Sequence, residues 1–251
     1  KHLYKRVNKA VVMEIHNNHE LIPVRGITVD AVSVSRAVEI SKTYLDNDYF
    51  NFVLLAGAQL AMKSQESKET KRFTDIANLI LPGDHNVEEA IDKTCEGRFQ
   101  EEYLDRMLML IAEEERGLCV LCDTQEQCDR VAVHLEADYP GLKVNGVIFE
   151  DTGEEGMEAL VNTINGYFPD LILPLVSIEK QEKLLLAHKE TLSTKLCISS
   201  ETIYQYIFQE EKGEKDSPVL VKWLMKRLRL GKEAVESEFR QKLKEERGQE
   251  K

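Results

Sequence analysis

The residues able to do chemistry in this sequence gather where a short apolar run stops and polar side chains follow. Leu81-Pro82-Gly83-Asp84-His85-Asn86 presents a carboxylate and an imidazole in a tight turn directly after such a run. Ligands of open α/β sheets bind beyond the carboxyl ends of the strands, so a general base would sit in a turn of this kind. Asp84 and His85 are therefore the candidate catalytic residues. A blander role competes with this one, because Pro-Gly is an ordinary turn and Asp84 or Asn86 could cap the next helix.

A second candidate is Ile178-Glu179-Lys180-Gln181-Glu182, which follows another apolar run. A helix beginning there would aim free backbone N–H groups and a partial positive charge at an anion such as phosphate. Lys180 would add a full charge, Gln181 could read a base or sugar, and Glu182 completes the candidate substrate-binding set. As a bare pattern this is also what a solvated first helical turn looks like.

A third lies near the end of the chain. If residues 219–230 are helical, Leu220, Trp223, Leu224 and Leu228 share one face, while Lys222, Lys226 and Arg229 share another. Such a helix docks on an anionic membrane surface, or packs on its own domain with a basic flank exposed. Lys222, Trp223, Lys226, Arg227 and Arg229 are the candidate membrane or diphosphate contacts.

Other chemistries find less support. Cys119 and Cys122 lie three apart in an apolar run, where strand alternation sends them to opposite faces, and no second ligand pair follows. Together with Cys128 they read as buried thiols, and no metal site is expected. No Gly-x-Ser-x-Gly elbow and no Gly-x-Gly-x-x-Gly loop is present. With 33 Lys and Arg against 45 Asp and Glu the formal charge is −12, which disfavours nucleic acid as a partner. The cysteine pattern fits a reducing cytoplasm, and no apolar run approaches the ~20 residues of a membrane-spanning helix.

The elements that must position these residues alternate in a regular way. Strands are predicted at 26–32, 50–56, 79–81, 118–122, 142–149, 171–176 and 195–199. Helices are predicted at 35–45, 58–67, 87–94, 100–115, 125–138, 155–167 and 178–190. The alternation predicts an α/β fold with a Rossmann-like, mostly parallel sheet, flanking helices and a C-terminal helical appendage. Tyr139-Pro140-Gly141 and Phe168-Pro169-Asp170 punctuate two helix-to-strand passages. Residues 1–24 read as an N-terminal extension, 25–208 as the α/β domain, 209–217 as a linker, and 218–251 as a basic amphipathic appendage with a charged tail.

Read together, the segments resemble the TagA/WecG/CpsF glycosyltransferases from about residue 25 to 230. The resemblance is carried by Tyr139-Pro140-Gly141-Leu142 after a strand and helix, then Ile164-Asn165, Pro169-Asp170, an apolar strand, and Lys180-Gln181-Glu182. It implies transfer of N-acetylmannosamine or a related sugar from a UDP donor to a polyprenyl-diphosphate-linked acceptor in envelope polysaccharide synthesis. It also implies no cofactor or metal, an anionic membrane surface as partner, and a place at the inner face of the cell membrane; separately, an apolar surface covering the sheet edge would be the mark of a homo-oligomer.

The sequence departs from the family pattern at several site positions. Where relatives carry Pro-Asp-Gly, this chain has Pro82-Gly83-Asp84; where they carry Thr-x-Asn, it has Leu55-Ala56-Gly57. Leu175-Val176-Ser177 stands for one Gly-x-Gly, and Cys197-Ile198-Ser199-Ser200-Glu201-Thr202 for a later glycine-rich stretch. Arg-Ala-Pro is absent, and Lys222-Trp223 with Lys226-Arg227 matches the C-terminal motif only in part. Two readings follow: a UDP-sugar-dependent inverting glycosyltransferase with a rebuilt site, or a catalytically inactive relative acting as a binding or scaffolding module.

Overall fold

Short, mostly apolar runs of four to six residues, too short for helices and rich in Leu, Ile and Val, form four of the six strands of the sheet. The computed structural model describes residues 19–92, 97–150 and 153–209. In chain order the elements are β1 (Glu20–Val24), β2 (Ile27–Ala31), α1 (Val34–Leu45), β3 (Asn51–Ala56), α2 (Ala58–Glu66), α3 (Lys68–Asp75) and β4 (Leu79–Pro82). They continue as α4 (His85–Ile91), α5 (Phe99–Glu113), β5 (Gly117–Cys122), α6 (Gln125–Asp138), β6 (Lys143–Ile148) and α7 (Gly153–Gly166). The last are β7 (Leu171–Pro174), α8 (Ile178–His188), β8 (Leu196–Ser200) and α9 (Ile203–Gln209).

Among the described residues, six strands form one sheet in the order β4-β3-β8-β7-β5-β6, and every ladder is parallel. Helices cover both faces, which explains why whole strands are apolar rather than alternating. In β3, Val53 and Leu55 join a core with α1, α5, α6 and α9, while Phe52, Leu54 and Ala56 join one with α2, α3, α7 and α8. Cys119 and Cys122 divide between the same two faces, and both are buried, as strand alternation predicts. Burial pushes the Cys119 thiol up to about 12.

Several helices start where their own sequence caps them. Ser33, Ser67 and Thr124 each accept the N–H three residues on, opening α1, α3 and α6. The helix-to-strand passages also fall where the punctuation predicts. α6 stops before Tyr139-Pro140-Gly141, with Gly141 at φ 97, and Phe168 turns at φ 50 ahead of β7.

One predicted strand lies elsewhere. The run at 26–32 does not join the parallel sheet; as β2 it pairs with β1 in an antiparallel hairpin turned at Arg25-Gly26, with Arg25 at φ 55. Its link to the sheet is a side chain. Asp30 Oδ2 accepts the backbone N–H of Ile80 in edge strand β4 at 2.7 Å, and Asp30 Oδ1 pairs with His19 Nε2 at 2.6 Å. β1 occupies the end of the stretch read as an N-terminal extension. The short α3 and α9 are not among the predicted helices, because α3 is mostly polar and reveals its inward face only through Thr70, Phe73 and Thr74. Of the linker read at 209–217, Gln209 ends α9, while residues 210–217 and the appendage at 218–251 lie outside the described residues.

Candidate functional site

In the sheet order, β3 leads outward to β4 on one side and β5 leads outward to β6 on the other, with β7 and β8 between them. The carboxyl ends of β3, β8, β7 and β5 therefore converge where the chain changes direction, the place such sheets bind ligands. A cleft of about 510 Å³ opens there, lined by Asp123, Gln127, Arg130, Ser177, Glu201 and Tyr204, among others. That volume suits a small-molecule ligand.

On the side of β3 and β4, the first turn of α2 sets the arrangement. Its N-cap is Gly57, which has no side chain to satisfy the exposed N–H groups. A carboxylate from another strand end does so instead, with a second one close by. Asp84 Oδ2 accepts the N–H of Ala58 at 2.7 Å, and Glu201 lies beside the same helix start. Asp84 also caps its own helix, Oδ1 accepting the Val87 N–H at 2.9 Å. A β-carbon built on Gly57 would lie 2.9 Å from Asp84 Oδ2 and 3.4 Å from Glu201 Oε2, so the two carboxylates converge on one bare backbone position.

The charges around Glu201 alternate. Lys63 pairs with Glu179 at 2.7 Å, which holds the Glu179 carboxyl below its usual range and the Lys63 amine above its own. Glu201 is pushed the other way, first by burial and then by the charges of Asp84 and Glu179, with Lys63 opposing.

The opposite side of the cleft is built differently. α6 has its own N-cap, Thr124, so Asp123 is left at the surface, where its Oδ1 meets Lys180 Nζ at 2.5 Å. Lys180 also lies over the Phe149 ring, 5.3 Å from its centroid. Ser177 precedes α8 and makes no side-chain capping bond to it.

The residues singled out in the sequence thus have distinct positions. Asp84 lies at the strand ends but serves two helix starts. His85 is exposed on the first turn of α4 with Gly97 against it, and is not among the lining residues. Lys180 borders the cleft through Asp123. Gln181 is fully buried: its Nε2 donates to Val176 O at 2.7 Å and Ser200 O at 3.2 Å, and its Oε1 accepts from Ser199. Its amide ties the ends of β7 and β8 together rather than facing the cleft. Glu182 is 8% exposed, and its Oε1 has no hydrogen-bond partner among the described residues. Lys222, Trp223, Lys226, Arg227 and Arg229 lie outside the described residues.

The family model for the WecG/TagA/CpsF glycosyl transferases matches residues 22–207. The chain belongs to this glycosyltransferase family. No curated protein matches it. The match ends within α9, so it spans the sheet, the cleft and the hairpin that packs at β4.

Two observations bear on metal chemistry in this WecG/TagA/CpsF member. Among the described residues, no group of three or more His, Cys, Asp or Glu side chains is placed to hold an ion. Asp46-Asn47-Asp48 has an Asp-x-Asp spacing, but it precedes β3 at the opposite end of the strands, and Asp46 pairs there with Arg116 at 2.5 Å. Among the described residues, no helix is long and apolar enough to cross a membrane.

Sequence reasoning passed over Glu201, Lys63, Arg130 and Tyr204. Nothing in the spacing of residues 57, 63, 84, 179 and 201 joins them; the strand order does. One signal was legible: Glu201 follows the apolar Leu196-Cys197-Ile198 after two intervening residues, the same offset that Asp84 has from Leu79-Ile80-Leu81.

Proposed function

We propose that this family member binds a UDP-activated sugar, N-acetylmannosamine or a close relative, in the cleft beyond β5, β7 and β8. It transfers the sugar to a polyprenyl-diphosphate-linked acceptor in envelope polysaccharide synthesis. The observation that carries this reading is the cleft itself, with the start of α8 and Arg130 on its walls. A helix start offers N–H donors to a diphosphate, and the guanidinium offers a planar fork. Lys180 exchanges Asp123 for a phosphate when the donor enters. The acceptor reaches the cleft from the inner face of the membrane, with Lys222, Trp223, Lys226, Arg227 and Arg229 as the anionic-surface contacts.

Calorimetric titration with UDP and with UDP-N-acetylmannosamine tests the donor assignment, with Lys180→Ala and Arg130→Ala as controls. Saturable binding, weakened about tenfold by either exchange, is expected, since each removes a charged contact of roughly 1.5 kcal/mol. Absence of heat at millimolar ligand would sink the assignment. Gln181 is unsuitable as a control because its amide holds two strands together.

One observation favours a second reading, in which the fold serves as a binding or scaffolding module without turnover. Both oxygens of Asp84 are engaged by helix N–H groups, so its carboxylate has a structural task independent of any substrate. Under that reading, charge reversal at Lys222 and Lys226 abolishes localisation or partner binding, while a chain carrying Asp84→Asn that still folds keeps its biological phenotype.

A further inference from the structure

We propose that Glu201 is the proton-accepting catalytic residue of this cleft, with Asp84 as its fixed neighbour. The proposal rests on the transfer reading above and names the group that performs its chemical step. Three observations carry it. Glu201 lines the cleft, whereas neither Asp84 nor His85 does. Asp84 accepts a backbone N–H on each oxygen, at 2.7 and 2.9 Å, and cannot turn toward a ligand without uncapping α2 or α4. Glu201 directly follows β8, an inner strand of the sheet, and converges with Asp84 on Gly57, where no side chain intervenes.

The surroundings suit the task. Asp84 from the α4 turn and Glu179 from α8 face Glu201 with negative charge, and Lys63 from α2 faces it with positive charge. Asp123, Glu126, Arg130 and Tyr204 line the same cleft, and Lys180 offsets Asp123. Burial and the two carboxylates raise the proton affinity of Glu201, which makes it a stronger base than a solvated carboxylate. In the step, the acceptor hydroxyl oxygen bonds to the anomeric carbon while its proton passes to the Glu201 carboxylate. The bond from that carbon to the nucleoside diphosphate breaks, and its electron pair leaves with the diphosphate. Solvent later takes the proton from Glu201.

The test uses the full chain, UDP-N-acetylmannosamine, and a short polyprenyl-diphosphate-linked acceptor, with Glu201→Gln and Glu201→Asp. Gln keeps the size and shape of the side chain, and thermal melting verifies that it folds. Glu201→Gln is expected to lower kcat by about 100-fold or more, with Asp recovering part of the loss. UDP binds the Gln variant at least as tightly, since a negative charge is gone. In the wild type, kcat falls as pH drops through the raised Glu201 value, and Lys63→Gln moves that limb to higher pH. Proton uptake gives a readout apart from turnover: in the pH range where wild-type kcat falls, calorimetry in two buffers of different ionisation enthalpy registers more uptake on UDP binding in wild type than in Glu201→Gln. Wild-type kcat in the Gln variant overturns the role of Glu201 and leaves the transfer reading standing. UDP binding without any wild-type turnover, or no UDP binding at all, overturns both.

Discussion

The two walls of the strand-end region, one bordering the cleft and one beside it at β3 and β4, solve the same problem in opposite ways. Each begins with a helix whose first N–H groups need acceptors. On the β5 side, α6 carries its own cap in Thr124, and Asp123 and Lys180 remain in a half-exposed pair at the rim. On the β3 side, α2 starts at Gly57 and has no cap of its own, so Asp84 is drawn from beyond β4 to serve it, with Glu201 from beyond β8 beside it. A single missing side chain thus gathers two carboxylates from sequence-distant strands. The first wall is adjustable, and the second is fixed by backbone hydrogen bonds.

That contrast can be broken by substitution, and the largest effect is expected on the fixed wall. A β-carbon at Gly83 would lie 2.4 Å from the carbonyl oxygen of Leu55, a backbone atom of the neighbouring strand that cannot move aside cheaply. Gly83→Ala is expected to cost about 3 kcal/mol, read as a shift in the urea midpoint. Asp84→Ala removes acceptors from two helix starts at once and is expected to cost about 2 kcal/mol. Thr124→Ala removes one, on the adjustable wall, for about 1 kcal/mol. Equal losses at Asp84 and Thr124 in the same denaturation experiment would contradict the proposed asymmetry. Lys180→Ala is expected to change stability by no more than about 0.5 kcal/mol, because its partner Asp123 is well exposed, while still weakening donor binding.

The pH dependence sharpens the same comparison. Glu201 has a raised folded-state value, so its protonated form is the stabilising one. That contribution is fully present below the ordinary carboxylate range and is lost as pH rises through the raised value. Glu201→Gln is therefore expected to melt above wild type at neutral pH, and the gap should close under acidic conditions. Glu114 runs the other way. Its hydrogen bond from Lys42, and then those from Arg116, hold its carboxyl low, so its contribution is present at neutral pH and disappears on acidification. Thermal melts of Glu114→Gln across the same range should show a deficit at neutral pH that fades toward acid.

Much of the fold is legible in the residues themselves. The strands of the parallel sheet stand out as apolar runs because a sheet covered on both faces tolerates little else. Tyr139-Pro140-Gly141 and Phe168-Pro169-Asp170 mark their boundaries through fixed or unusual backbone angles. The hairpin is less legible: a β-branched run such as Ile27–Ala31 has strand character whether it pairs in the central sheet or beside it. Only the packing of Asp30 against Ile80 shows which.

For the site, the sequence by itself determined that Asp84 follows a strand, that Lys180 opens a helix, and that the motifs from Tyr139 to Glu182 place the chain among the WecG/TagA/CpsF glycosyltransferases. Local propensity and turn chemistry are enough for that. Tertiary structure decided which of these groups face the cleft. Burying the Gln181 amide between β7 and β8, and directing Asp84 and Glu201 to the bare start of α2, depend on strand order. Strand order follows from pairings between residues distant in the chain, above all Asn51 beside Leu196 in β3 and β8, which no local pattern encodes.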